Sequence, residues 1–240
     1  MLQQVEIDHI LFIDIETVPQ YPSYNELPDN YKSLWDKKAS HLRKDEQTPE
    51  ELYSRAGIYA EFGKIICISA GIFDHKGDTR KLRIKSFYGE NEHKILTEFG
   101  HLLNGLSDRK STMLCAHNGK EFDFPYIARR MLVEGIKIPW LLDISGKKPW
   151  ENNFIDTMEL WKFGDYKHYT SLDLLTTILK LPSPKDEIDG SMVAGLFWND
   201  KAFDSIVKYC EKDVIAIARL ILRFRGEEII KNEDIIRIID

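Results

Sequence analysis

The sequence predicts an α/β fold, a mixed central sheet flanked by helices, in one domain spanning residues 1–240. Two observations carry this reading. The early strand-type runs are joined back by a tight turn and so pair antiparallel. The later ones alternate with helical patterns, which implies parallel crossovers, and the chain ends in helices. With 240 residues, a chain should bury roughly 70–75% of its unfolded surface and needs no staple. Hydrophobic residues make up 43% and charged residues 30%, which excludes wholesale disorder and fibrous repeats.

Residues 9–16, His-Ile-Leu-Phe-Ile-Asp-Ile-Glu, read as a strand with an apolar body and acids at its far end. Residues 19–62 are rich in Pro, Tyr and charge and read as a helical insertion. Within it, Thr48-Pro49-Glu50-Glu51 has the form of a helix start, with Thr at the N-cap and Pro at the first helical position. Residues 64–73 form a buried strand, 75–78 (His-Lys-Gly-Asp) a turn, and 81–87 a half-exposed strand alternating with period two. A helix is expected over 91–103, with Ile95, Phe99, Leu102 and Leu103 on one stripe. A short strand over 112–116 then leads to a helix running through Ile127 and Met131. A Gly/Pro/Trp-rich stretch at 135–153 precedes a short element at 154–157, and helices follow near 171–180 and 203–224. The remaining residues, 225–240, are an apolar and acidic tail able to dock on the domain or on a partner.

Charge and cysteine content narrow the function. The net charge is −6, from 33 basic and 39 acidic residues, which argues against a protein whose main work is coating nucleic acid. It leaves room for an enzyme acting on nucleic acid, provided that some carboxylates hold metal ions. Small basic clusters at Lys81/Arg83/Lys85, Arg129/Arg130 and Lys147/Lys148 read as solvated faces, and no long basic groove is visible along the chain. That points to modest processivity. Cys67, Cys115 and Cys210 are odd in number and lack Cys-x-x-Cys spacing, so buried free thiols are expected. The longest apolar stretch, 65–73, is too short to span a bilayer, so no membrane partner is expected. The first residues lack the basic start and apolar core of a signal peptide, so the expected location is the cytoplasm.

Four acids stand out by position. Asp14 and Glu16 are two residues apart, so on a strand they share a face. They lie at the strand's C-terminal end, where ligands gather in open α/β sheets. Two carboxylates about 4 Å apart repel by about 4 kcal/mol at a near-surface effective dielectric. A divalent cation offsets this, and hard oxygen ligands suit Mg²⁺ or Mn²⁺. The alternative is a solvated strand end. Asp123 precedes Phe124-Pro125, where it is either a site acid or a helix N-cap. Asp213 follows Tyr209 by one helical turn, so the two share a face. There the alternative is an exposed acid beside a half-buried Tyr.

Taken together, Phe12-Ile13-Asp14-Ile15-Glu16-Thr17, Asn118-Gly119-Lys120-Glu121-Phe122-Asp123 and Tyr209-Cys210-Glu211-Lys212-Asp213 resemble, in order and spacing, the three exonuclease motifs of the DEDD superfamily. Tyr209 matches the tyrosine (DEDDy) branch. The histidine branch would place His where Lys208 stands. The chain is most similar over roughly 8–222 to the 3′–5′ exonuclease domain of family B DNA polymerases and to small stand-alone relatives of it. The Asp189-Gly190-Ser191 run also looks like those relatives. The departures are the 19–62 insertion and the absence of any polymerase domain.

The resemblance implies a ribonuclease H-like fold, two divalent metal ions (Mg²⁺ or Mn²⁺), and hydrolysis of the terminal phosphodiester that releases nucleoside monophosphates from the 3′ end of single-stranded nucleic acid, DNA favoured over RNA. By the same carry-over, Asp14 would bridge both metals. Glu16 and Asp213 would complete the site that generates the nucleophile, and Asp123 would hold the second metal. Tyr209 would position the attacking water, since a phenol with a pKa near 10 is a poor base at neutral pH. Thr17 would meet the terminal nucleotide through its backbone. Asn118 is either a substrate contact or a turn residue beside Gly119. Asp156 is expected to be a helix cap and His117 a satisfied structural histidine. Phe122 and Phe124 are expected in the core, with base stacking by one of them as the alternative. Three other readings are carried: an exoribonuclease, which the same residues would serve because the 2′-OH contact is not legible in sequence; a catalytically silent nucleic-acid-binding domain, although such relatives usually lose one or more of the acids; and a generic metal-dependent phosphatase, which fits the acids but not the Tyr209–Asp213 helix.

Overall fold

The computed structural model describes residues 2–44, 46–74, 79–106, 111–148, 151–165, 169–182 and 188–238. The turn expected at 75–78 lies outside them. Strand β1 (Ile10–Pro19) is the centre of a six-stranded sheet. It pairs antiparallel with β2 (Gly63–Asp74), which pairs antiparallel with β3 (Lys81–Tyr88). On its other side lie β4 (Met113–Ala116) and then β5 (Phe154–Asp156), both parallel. The sheet is mixed and flanked by helices, as the order of patterns predicts. The tail adds a strand that the sequence reading did not anticipate, β6 (Ile235–Ile238), parallel to β3 at the sheet edge. Four residues of Ile-Ile-Arg-Ile are too few to declare a strand without the open edge that receives them.

Alternation along β1 decides what each face of the sheet holds. Leu11, Ile13 and Ile15 pack into a core with Ile95, Phe99 and Leu103 of α2 (Glu92–Gly105) and Phe124, Ile127 and Met131 of α3 (Asp123–Val133). Ile10 and Phe12 point the other way, onto Val214, Ile217, Ala218 and Ile221 of α7 (Phe203–Arg225). With the odd set committed to the first core, Asp14 and Glu16 are forced onto the α7 face. Contrary to expectation, β1 does not end at Glu16. It continues to Pro19 because β2 pairs along its whole length, with a register shift between Glu16 and Thr17. The parallel neighbour β4 matches only Ile10–Phe12. Asp14 and Glu16 follow beyond that match, toward the C-terminal end of β1.

The 19–62 segment contains α1 (Asp29–Leu42) and a core of its own built on the fully buried Trp35. The helix expected from Thr48 does not form as an α-helix. Its reciprocal capping bonds are present, Thr48 N–H to Glu51 (2.8 Å) and Glu51 N–H to Thr48 (3.2 Å). The chain then tightens into a 3₁₀ segment, Tyr53–Ile58. Gly57 there lies so close to Val18 and Pro19 that a Cβ would meet their backbone at 3.0–3.1 Å, and this approach holds the insertion against the end of β1.

Three short helices complete the chain: α4 (Thr157–Lys162), α5 (Leu172–Ile178) and α6 (Val193–Trp198). Helix α6 escaped the sequence reading because six residues of Val-Ala-Gly-Leu-Phe-Trp have no polar face to reveal a period. Arg130 corrects another expectation. It is not part of a solvated face but 1% exposed, paired with Glu92 at 2.6 Å and bonded to the Ala60 carbonyl at 2.9 Å. All three cysteines are free and buried, as expected. Among the described residues, no helix is long and apolar enough to cross a membrane.

Candidate active site

The structure brings Asp14, Glu16, Asp123 and Asp213 together. Asp14 and Glu16 come from β1, Asp123 from the first turn of α3, and Asp213 from the middle of α7. Asp123 is not the N-cap of α3. That position is Phe122, which makes no side-chain cap bond, and the Asp123 carboxylate instead hydrogen-bonds the backbone of Ile15 on β1 and its own backbone. A side chain used as a cap faces its own helix. This one is turned to the sheet.

Electrostatics show how tightly the acids are held. Burial, then Asp213, Glu16 and Asp123, keep the Asp14 carboxyl well above the usual carboxylate range, against a hydrogen bond with Cys210. Glu16 is raised by burial first and then by Asp213, Cys67 and Asp123. Burial pushes Asp123 up to about 7, with Asp156 and Asp213 adding and the two backbone bonds opposing. Asp213 is the strongest charge acting on both Asp14 and Glu16.

These residues suit a hard divalent cation on observations internal to the structure. Asp14 Oδ2 is buried and has no hydrogen-bond partner, an arrangement that costs free energy unless something electropositive meets it. Ligand atoms of Asp14, Glu16 and Cys210 lie within 4.8 Å of one another. Burial raises the Cys210 thiol well above its ordinary pKa, and it donates to the Asp14 main-chain carbonyl at 3.3 Å. It is therefore a neutral donor beside the site, which leaves carboxylate oxygens as the donor set.

Around the acids, Tyr209 is half-buried on α7. Burial, then Asp213, Glu16, Asp14 and Asp189, raise its phenol, so it is protonated at neutral pH. Asn118 adopts a left-handed backbone (φ 60°) and is a turn residue. Its side-chain Oδ1 is nonetheless buried without a partner. Thr17 does not join the acids through its side chain, which hydrogen-bonds the Tyr126 phenol, itself donating to the Gly57 carbonyl at 2.7 Å. His117 is structural, with Nδ1 2.8 Å from the Thr157 hydroxyl and Nε2 2.8 Å from the Thr170 carbonyl. Phe124 is core, 1% exposed, and the partly buried Phe122 packs against the same cluster, with its ring on Tyr126.

Asp156 does more than the cap expected of it. Besides receiving Met158 N–H (2.9 Å) and Glu159 N–H (3.3 Å) of α4, it accepts from the backbones of Asn118 (3.0 Å) and Lys120 (3.1 Å). It thereby ties the loop that delivers Asp123 to the end of β5. Sequence could not show this, since the loop and the cap are about 36 residues apart and meet only because β4 and β5 are neighbours. Glu211 was likewise passed over. It is buried and receives Ser86 (3.1 Å) and Arg237 of β6 (2.6 Å), fixing α7 between the site and the sheet edge.

The raised carboxyls have a consequence for the metal-free chain. Their folded pKa values exceed the unfolded ones, so the stability they contribute is present below about pH 4 and is lost as pH rises through 7 and above. The buried neutral His117, whose pKa is lowered, acts in the opposite sense, but only below its ordinary value of about 6.5. Between pH 7 and 8.5 in EDTA the melting temperature should therefore fall, and Mg²⁺ should reverse the fall. A flat profile in EDTA would mean that the acids are not buried together.

The mixed sheet flanked by helices and the buried acids at the end of β1 define a ribonuclease H-like α/β chain. Over 90% of its length it superposes on the family B DNA polymerase from the hyperthermophilic archaeon Pyrobaculum calidifontis with a TM-score of 0.54 at 16% identity, spanning 24% of that larger chain. No curated protein matches the sequence. The protein belongs to the family described as predicted 3′–5′ exonuclease related to the exonuclease domain of PolB, whose model matches residues 58–232, and is accordingly a hydrolase of the exonuclease class. The match begins after Asp14, Glu16 and Thr17 and takes in Asn118, Asp123, Tyr209 and Asp213.

Proposed function

We propose that the chain removes nucleoside monophosphates one at a time from the 3′ end of single-stranded DNA in the cytoplasm, with Asp14, Glu16, Asp123 and Asp213 holding two divalent cations, Mg²⁺ or Mn²⁺. The observation that carries this is the partnerless Asp14 Oδ2 among three further carboxylates. When bound, such cations supply Lewis acidity and offset the charge of the attacking and leaving oxygens. The chain's own groups do the rest. The Tyr209 phenol, kept protonated by burial and by the acids, orients the attacking water and does not take its proton. Asn118 Oδ1 and the Thr17 backbone line the approach of the terminal nucleotide. Cys210 holds the backbone carbonyl of Asp14 and with it the carboxylate's direction.

The test is a time course on 5′-labelled single-stranded DNA with Mg²⁺ or Mn²⁺, beside an EDTA control. A ladder shortening from the 3′ end, absent in EDTA, is expected. Faster cleavage of a matched RNA would move the substrate to RNA, and no cleavage of either would end the reading. Tyr209→Phe should lower kcat about tenfold, the scale of a lost orienting contact, while leaving turnover measurable. Unchanged kcat would make Tyr209 a packing residue.

A further inference from the structure

The sequence shows no linear basic run long enough to hold a strand, but the fold assembles one beside the site. Lys212, Ile215, Arg219 and Arg223 recur at three- and four-residue spacing on α7, so they form one stripe. Tyr209 and Asp213 occupy the adjoining stripe, since Lys212 and Asp213 are consecutive and about 100° apart around the helix. Two contiguous hollows of about 280 and 320 Å³ run along the basic stripe and share Pro182, Arg219 and Asn232. Their basic lining is Lys180, Lys212, Arg219, Arg223, Lys231 and Arg237, and among the described residues no Asp or Glu lines either one. In a chain of net charge −6 this is a local inversion of sign. From Lys212 to Arg223 it extends about 16 Å at the α-helical rise.

Arg219 makes this more than a solvated cationic face. It is 5% exposed and lies where the two hollows meet. Among the described residues its guanidinium donates only to neutral oxygens, the Ile230 carbonyl (3.3 Å) and Asn232 Oδ1 (2.7 Å). No carboxylate among the described residues pairs with it, and burial alone lowers its pKa. A buried cation facing only neutral acceptors is costly and favours an anion at the same place. Elsewhere in the groove Arg237 is engaged by Glu211 at 2.6 Å, and Lys231 reaches Glu233 at 3.9 Å.

We infer that this groove along α7 is a second binding site, which takes the phosphodiester backbone of the single strand outside the cluster of acids. The inference rests on the nucleic-acid substrate of the proposed function, and it adds a hold on the non-reacting part of the strand. Arg219 and Arg223 on α7, and Lys180 and Lys231 beside them, each meet a phosphate.

The test is binding of a fluorescein-labelled single-stranded DNA 20-mer in EDTA, read by anisotropy across a salt series, so that no cleavage is required. Each phosphate contact contributes about 0.7 to the salt slope for a single strand. The triple variant Lys180→Gln, Arg223→Gln and Lys231→Gln should therefore flatten the slope by about 2 and weaken Kd about 100-fold at about 0.1 M salt. All three side chains are exposed, and an unchanged melting temperature is the control for folding. Should the triple variant melt early, the single variants Arg223→Gln and Lys231→Gln give the same reading at about 0.7 in slope each. Unchanged Kd and slope, or no binding by the wild type in EDTA, would overturn the groove. Binding that follows these expectations without Mg²⁺-dependent cleavage would overturn the exonuclease reading and leave the groove standing.

Discussion

Asp14→Asn is expected to abolish metal-dependent cleavage and, at the same time, to raise the melting temperature of the metal-free chain. The first effect follows from removing a charged oxygen at the centre of the acids. A loss of about 10³-fold or more corresponds to about 4 kcal/mol of transition-state stabilisation. The second follows from the same geometry with opposite sign. In EDTA the Asp14 carboxyl is buried, partnerless at Oδ2, and repelled by Asp213, Glu16 and Asp123. An amide removes the charge and adds a donor for those neighbours. A gain of about 1–2 kcal/mol is expected, which is roughly 2–8 °C for a chain of this size. Mg²⁺ should then stabilise the wild type and leave the variant unmoved. A variant that keeps full activity, or that melts below the wild type in EDTA, would remove Asp14 from the site.

The second large effect is expected at Asp156. Its carboxylate, 2% exposed, accepts four backbone N–H groups, two at the start of α4 and two in the loop leading to Asp123. Asp156→Ala leaves all four without an acceptor. The expected cost is about 3–4 kcal/mol, a fall in melting temperature on the order of 10 °C, with activity lost because Asp123 is no longer held. Asp156→Asn separates clamp from cap. As a cap alone, Asn serves about as well as Asp, and stability would hardly change. As a clamp it fails in part, because an amide NH₂ would face the Lys120 N–H now received by Oδ2. A loss of about 1–3 kcal/mol is then expected, and a thermal melt of the two variants side by side decides.

Much of the site was legible because it is written in local spacing. Asp14 and Glu16 two apart on a strand, and Tyr209 and Asp213 four apart on a helix, are juxtaposed by secondary structure alone. The strand-forming runs at β1, β2, β3 and β4 and the stripes of α2 and α7 were readable for the same reason. What misled was local chemistry overruled by neighbours. Thr48 forms its capping bonds, yet the close approach of Gly57 to β1 gives a 3₁₀ segment. Asp123 has the sequence of an N-cap, yet its carboxylate is drawn to the Ile15 backbone.

The sequence by itself therefore determined the α/β class, the order of the main strands and helices, and the pairings of Asp14 with Glu16 and of Tyr209 with Asp213, since each depends on a period of two or 3.6 that a few residues suffice to display. Only the tertiary structure decided that Asp156 clamps the Asp123 loop, that β6 completes the sheet and fixes Glu211 through Arg237, and that Lys180, Arg219 and Lys231 share one groove. Those contacts join segments tens of residues apart. They exist because β5 lies beside β4, β6 beside β3, and α7 across the sheet between them, and no local period encodes which strand finds which edge.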